Sequence, residues 1–191
     1  KIAFAAARRA GVLSEARRDK LLAEMTDEVA AIVLEDNRLQ ALALSIAGTR
    51  GAAATPSMIR IIETLEEARH LDRRTEGLAG NETLIRRAAD GHGLTRPELA
   101  VLLSSTKLAL QDAFEESALP DDSAMDGELL AAFPQPMQAK FKRDIAEHRL
   151  RREIVSTKLA NRLINRMGFI HPFELAEEEG VPLSQIGAAF V

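Results

Sequence analysis

Residues 148–168 read HRLRREIVSTKLANRLINRMG. The spacing predicts a single helix of about 20 residues, about 30 Å long. Gly168 supplies its stop, and Pro172 follows shortly after. At about 100° per residue, Leu150, Ile154, Val155, Leu159, Ala160, Leu163, Ile164 and Met167 cover most of the circumference. Only a narrow strip, Arg151, Lys158, Arg162 and Asn165, is free of them. A helix apolar nearly all round is a central one. Arg152, Glu153, Ser156 and Thr157 fall inside the apolar arc, so each charge there needs an ionic partner and each hydroxyl a hydrogen bond. Arg152 and Glu153 point about 100° apart and are expected to form a structural ion-pair centre with other elements, Asp36 and Arg96 being candidate partners; the alternative is a surface-exposed Arg152 whose stem lies along apolar surface.

Working outward, the same helical grammar recurs. Ser14 is placed to cap a short helix carrying Leu21, Leu22 and Met25. Thr26-Asp27-Glu28 reads as the start of a second helix, a hydroxyl cap followed by acids that favour the positive end of the helix dipole. Its inner face would be Val29, Ile32, Val33, Ala43 and Leu44, with Asp36 and Gln40 on that face expected to hydrogen-bond a neighbouring helix or cap, the alternative being a contact to another domain or ligand. Thr55 is read as a cap with Pro56 at the first helical position, and Asn81 as the cap of a short helix ended by Gly91. TRPE at 95–98 fits the capping box and opens a long, mostly apolar helix in which Lys107 is expected on a solvated face. Residues 126–133 form a short amphipathic helix, Pro134 and Pro136 bracket a turn, and 137–147 lead into the central helix. Residues 172–179 and 182–191 make a final helical pair. No segment sustains the period-2 alternation of a half-buried strand. The expected fold is therefore all-α, an irregular multi-helix bundle around the helix near 148–168.

Composition agrees and narrows the function classes. The 191 residues include no Trp and no Tyr, so the core is built from Leu, Ile, Val, Ala and Phe, which favours helices over sheets. Without cysteine there is no disulfide, thiol nucleophile or cysteine metal site, which suits a cytoplasmic protein. A formal net charge of -4 offers no overall attraction to nucleic acid or to an anionic membrane. No apolar run reaches the roughly 18 residues of a membrane span. The glycines stand singly at helix ends rather than in a phosphate-binding loop, and His70, His92, His148 and His171 lack metal-ligand spacing. No residue qualifies as catalytic, cofactor-binding or metal-binding. The segment FELAEEEGVPLSQIGAAF has the rhythm of a helix-turn-helix, but its second helix has no basic residue. The chain opens on Lys1 without Met and ends on Phe190-Val191, and reads as a piece of something longer.

Several of these segments resemble the large bacterial NAD-specific glutamate dehydrogenases. They are MTDEVA at 25–30 with Asp36-Asn37 and Gln40 behind it, LTRPELAVLL at 94–103, LPDD at 119–122 and, above all, 148–168. The likeness runs through nearly the whole chain in the family's order. It departs where Arg38, Ser105 and Ala132 stand in place of expected aromatics, which implies a leaner core. The resemblance implies a helical C-terminal region that follows the catalytic domain, with Lys1-Ile2-Ala3 resembling the end of the catalytic part. Residues 1–10 would then be the tail of that upstream domain and 11–191 a helical accessory domain. The implied parent reaction is NAD-linked oxidative deamination of L-glutamate to 2-oxoglutarate and ammonia. The nicotinamide site, the glutamate-binding lysines and the catalytic acid would lie upstream of Lys1, leaving this region without NAD of its own. Implied partners are the upstream catalytic domain and other copies of the chain. The competing expectation is a free-standing helical interaction or DNA-binding module using 172–191.

Overall fold

The computed structural model describes residues 2–9, 11 and 13–190. Lys1, Ala10, Val12 and Val191 lie outside it, so the expectations for the segment 1–10 and for the helix 182–191 fall outside the described residues at Lys1, Ala10 and Val191. Helices make up 80% of the structure and no strand occurs among the described residues, which establishes the all-α class.

The core is a crossed pair. α6 (Arg96–Glu115) opens with the expected capping box, in which Glu98 accepts from the Thr95 amide and hydroxyl, both at 2.8 Å. α10 (Arg151–Met167) packs on α6 more extensively than on any other element. Leu102, Leu110 and Phe114 on α6 meet a face of Val155, Leu159, Ala160 and Leu163 on α10, all of them fully or almost fully buried. At about 1.5–3 kcal/mol for each large apolar side chain removed from water, this contact dominates the stability of the bundle. α10 is thus central, as its sequence demands, but it is three residues shorter at its start than its apolar spacing suggests. His148 interrupts the helix by accepting the Leu150 amide at its Nδ1, 3.2 Å away, and Leu150 is exposed.

On the strip of α10 that carries no apolar residue, Arg151 and Arg162 face protein while Asn165 is exposed. Arg151 pairs with Asp126 at 2.7 Å and donates to the Pro120 carbonyl at 2.8 Å, and Arg162 pairs with Glu128. Both acids sit on α7 (Asp126–Ala131), and Pro120 lies in the first of the two 3-10 turns before it, Leu119–Asp121 and Ser123–Met125. α8 (Gln135–Lys140) and α9 (Lys142–Ala146) then lead into α10, broken apart at Phe141. Pro136 therefore lies in the first turn of α8, where its missing N–H is harmless.

The N-terminal half departs most from the sequence reading. Instead of two helices, α2 (Glu15–Thr49) is one unbroken helix of 35 residues, about 50 Å long. Thr26 does not cap anything: its hydroxyl folds back onto the Leu22 carbonyl at 3.1 Å, the bond a mid-helix threonine makes. No glycine or proline occurs from Glu15 to Ala47, so nothing forces a break at Thr26. Glu28 does cap a helix, but a different one: its carboxylate accepts the first amide of α8, Gln135, at 3.0 Å. α1 (Ile2–Arg9) is seated by an edge-on contact between Phe4 and Phe141, ring centres 5.3 Å apart.

α3 (Thr55–Glu67) follows a 3-10 turn, Gly51–Ala54. Thr55 belongs to the helix and is fully buried without a hydrogen bond from its hydroxyl among the described residues, so the capping role expected of it fails. α4 (Arg73–Glu76) and α5 (Asn81–Ala89) come next. Gly80 holds the cap position of α5, while Asn81 donates to Glu63 at 2.7 Å and accepts from Arg73. The final pair is α11 (His171–Glu179) and α12 (Leu183–Phe190). Gly187 of α12 lies so close to Phe114 that a Cβ there would fall 2.0 Å from the ring.

Candidate functional site

The surface that stands out belongs to α2. At its start Leu21 and Met25 are buried, and Lys140 on α8 reaches Glu24 at 3.6 Å. Towards its end Ala43 and Ala47 are buried, and Arg50 just beyond it pairs with Glu174 on α11 at 3.1 Å. Between these two seats the helix is uncovered. Val29 is 44% exposed, Ile32 46%, Val33 52% and Leu34 69%. Seven of the ten large apolar residues exposed among the described residues lie on α2, so the bundle leaves this helix half clothed. The expected inner face is buried only at Ala43 and, in part, Leu44; Val29, Ile32 and Val33 are left exposed. Burying one apolar side of this helix would require a body that these residues do not provide.

Two clefts run beneath α2. One, of about 180 Å³, is walled by Leu39, Leu42 and Ile46 on α2 and by Ile164, Met167 and Ile170 across from it. The other, of about 460 Å³, lies between Ile32 and Asp36 on one side and Glu128, Lys158 and Arg162 on the other. Asn165 and Arg166 line both, so the clefts adjoin along α10. Asp36 and Gln40, expected to bond a neighbouring helix, form no side-chain hydrogen bond among the described residues; Asp36 is exposed at the mouth of the larger cleft.

The charges singled out from sequence go elsewhere than expected. Arg152 pairs with Asp121 and also donates to the carbonyls of Glu115 and of Ser117, the latter at 2.7 Å. It closes the C-terminal end of α6, where carbonyls lack helical partners and the dipole favours a cation. Its side chain is 38% exposed and that of Asp121 is 62% exposed, so this is a capping clamp at the surface rather than a buried ion pair. Glu153 has no ion pair among the described residues, and Arg96 reaches the Ser45 hydroxyl at 3.3 Å. Neither Asp36 nor Arg96 approaches the Arg152–Glu153 centre as a partner, because α2 crosses the other part of α10. Thr157 donates to the Glu153 carbonyl at 2.7 Å, whereas the fully buried Ser156 hydroxyl has no partner among the described residues. Lys107 is half-buried rather than solvated.

Titratable groups are shifted by packing, at three separated places. Burial pushes the Glu98 carboxyl up, but hydrogen bonds from Arg87 and Thr95 outweigh it and hold it below the usual carboxylate range. Glu174 behaves alike, burial being outweighed by Arg50 and Ser57. Burial holds the His148 imidazole below its usual value, and its ring sits 5.6 Å from that of Phe133. Among the described residues no three His, Asp or Glu side chains converge to hold a metal ion. What the arrangement can do chemically is present an apolar helix face to another body.

Fold and surface together define an all-α domain built on a crossed helix pair and carrying one long helix with an uncovered apolar face. The family follows from comparison with known proteins. The profile described as glutamate dehydrogenase, C-terminal, matches residues 91–191, and the chain belongs to that family. The profile described as bacterial NAD-glutamate dehydrogenase, catalytic domain, matches residues 1–47. An NAD-specific glutamate dehydrogenase of Pseudomonas aeruginosa is 40% identical over 182 residues, 95% of this chain. Those of Halomonas elongata and Mycobacterium tuberculosis are each 37% identical, over 95% and 90% of the chain. The chain spans only 11% of the length of each of these relatives.

Proposed function

We propose that the chain is the non-catalytic, helical C-terminal accessory domain of an NAD-dependent glutamate dehydrogenase in the cytoplasm. The parent reaction is the oxidative deamination of L-glutamate to 2-oxoglutarate and ammonia, with NAD bound elsewhere in the polypeptide. Its partner is the upstream catalytic portion of the same chain, with further contacts between copies. The observation that carries this reading is the place where the two profile matches meet the fold. The catalytic-domain match runs to residue 47, almost the end of α2, while the C-terminal match starts at 91 and takes in α6 and α10. Gly11, at φ 68°, turns the chain between α1 and α2 and is where we set the boundary between catalytic tail and accessory domain. α2 then opens the accessory domain while still lying almost wholly within the catalytic-domain match.

The reading predicts that residues 1–191 alone neither bind NAD nor oxidise glutamate. Calorimetry with NAD and a glutamate-dependent reduction assay test it, and saturable NAD binding at micromolar concentration would refute it. The competing DNA-binding reading of 172–191 fits the packing poorly. α12 is pressed onto Phe114 at Gly187, and Glu174 and Glu177 are held by Arg50 and Arg60. Salt-dependent binding of duplex DNA would reverse this preference.

A further inference from the structure

We infer that the uncovered face of α2 is the seat of the upstream catalytic portion of the same polypeptide, an assignment that rests on the accessory-domain reading above and says which surface performs it. Leu22, Val29 and Val33 recur at spacings of seven and four and so share one side of the helix, with Ile32 beside them. Leu42 and Ile46, four apart, lie on another side of the helix, where they wall the smaller cleft. An exposed apolar patch of this kind marks an interaction site.

The choice of occupant comes from where the face lies in the chain. Every one of these six residues falls within 1–47, the stretch matched by the catalytic-domain profile. The apolar residues of the stretch matched by the C-terminal profile are, by contrast, mostly buried within the bundle: of that stretch only Leu108 and Leu150 appear among the exposed large apolar side chains. The sequence of α2 thus serves two bodies. Leu21, Met25, Ala43 and Ala47 seat its two ends on this bundle, and Val29, Ile32 and Val33, which continue the same side between those ends, are left for the upstream body. The relatives supply a body of the required size, since this chain spans 11% of their length. Glu24 and Glu28 are already occupied by Lys140 and by the Gln135 amide, and the Glu35–Arg38 pair lies on another side of the helix from Val29 and Val33.

The test uses the full-length enzyme with a benzophenone amino acid placed at Val33 or, as a control, at Ile85, which is 58% exposed on α5. Equal mixtures of isotopically light and heavy polypeptides separate links within one chain from links between copies. The expected result is that position 33 captures peptides preceding residue 1 of the same polypeptide in at least tenfold excess over position 85. A second variant, Val33→Glu in the full-length enzyme, is expected to leave the melting of this bundle unchanged and to increase limited proteolysis between the catalytic portion and α2. Links from position 33 to a second copy overturn the assignment, as does the absence of any link from it. Capture of upstream peptides from position 85 instead of 33 overturns the face and leaves the accessory-domain reading standing. Capture from neither, with the catalytic portion separating freely after proteolysis, overturns both.

Discussion

Replacing Gly187 by Ala adds one methyl group to α12, and elsewhere in a helix that change stabilises by about 1 kcal/mol. Here the new Cβ would lie 2.0 Å from Cε1 of Phe114 and 2.5 Å from its Cζ. Phe114 is 1% exposed, so its ring has no free volume to swing into. Relief requires α12 to back away from α6 by more than 1 Å, which thins the packing along the whole contact. Overpacking of a filled core costs about 1–3 kcal/mol, and a contact this short belongs at the upper end. After subtracting the propensity gain, the expected net loss is about 1–2 kcal/mol. Gly127→Ala is the matched control, because a Cβ there meets nothing within 4 Å and should be neutral or stabilising. A double-mutant cycle isolates the cause: in a Phe114→Leu background the ring is gone, and Gly187→Ala should lose most of its penalty. Chemical denaturation of the four proteins gives the coupling energy directly. If Gly187→Ala is as stable as the parent, α12 is not docked on Phe114 and the packing argument fails.

Three further outcomes follow from the same structure. Arg152→Ala should lose about 1–2 kcal/mol, the worth of charged hydrogen bonds to two carbonyls discounted for partial exposure, whereas Glu153→Ala should change stability by less than about 0.5 kcal/mol; equal losses in denaturant melts would restore a buried-pair view. Arg69 ends α3 at φ 61°, a left-handed conformation that strains any side chain bearing a Cβ, so Arg69→Gly should raise stability by about 1 kcal/mol, and a lower melting temperature would contradict the reasoning. The pH dependence has a definite sign. The folded His148 value lies below the unfolded 6.5, so in that window the unfolded chain binds more protons and stability falls as pH falls. Glu98 and Glu174 add stability that is present above 4.5 and lost below it as they protonate. Stability measured from pH 7.5 to 4 should therefore decline in two stages, and His148→Gln should flatten the first of them.

The helical class, the place of α10 and the start of α6 were all readable in the residues, because each rests on interactions within a few positions. The apolar spacing of 151–167 needs a surrounding core whatever surrounds it, and the Thr95–Glu98 box closes on itself in one turn. The family likeness was readable for a related reason: long local motifs survive whole. Long-range partners were not readable. Thr26 has the chemistry of a cap, but a hydroxyl can also bond back to Leu22, and the choice depends on whether the chain turns there. Arg152 had to find an acceptor, yet no spacing along the chain says that the end of α6 and the turn at Asp121 lie within reach. The face of α2 shows the limit most plainly. Periodicity identified Val29, Ile32 and Val33 as apolar and could only assume that they point inward. Which side of an apolar helix a bundle covers is settled by where its other helices end, and here they meet α2 at both ends and leave its middle bare.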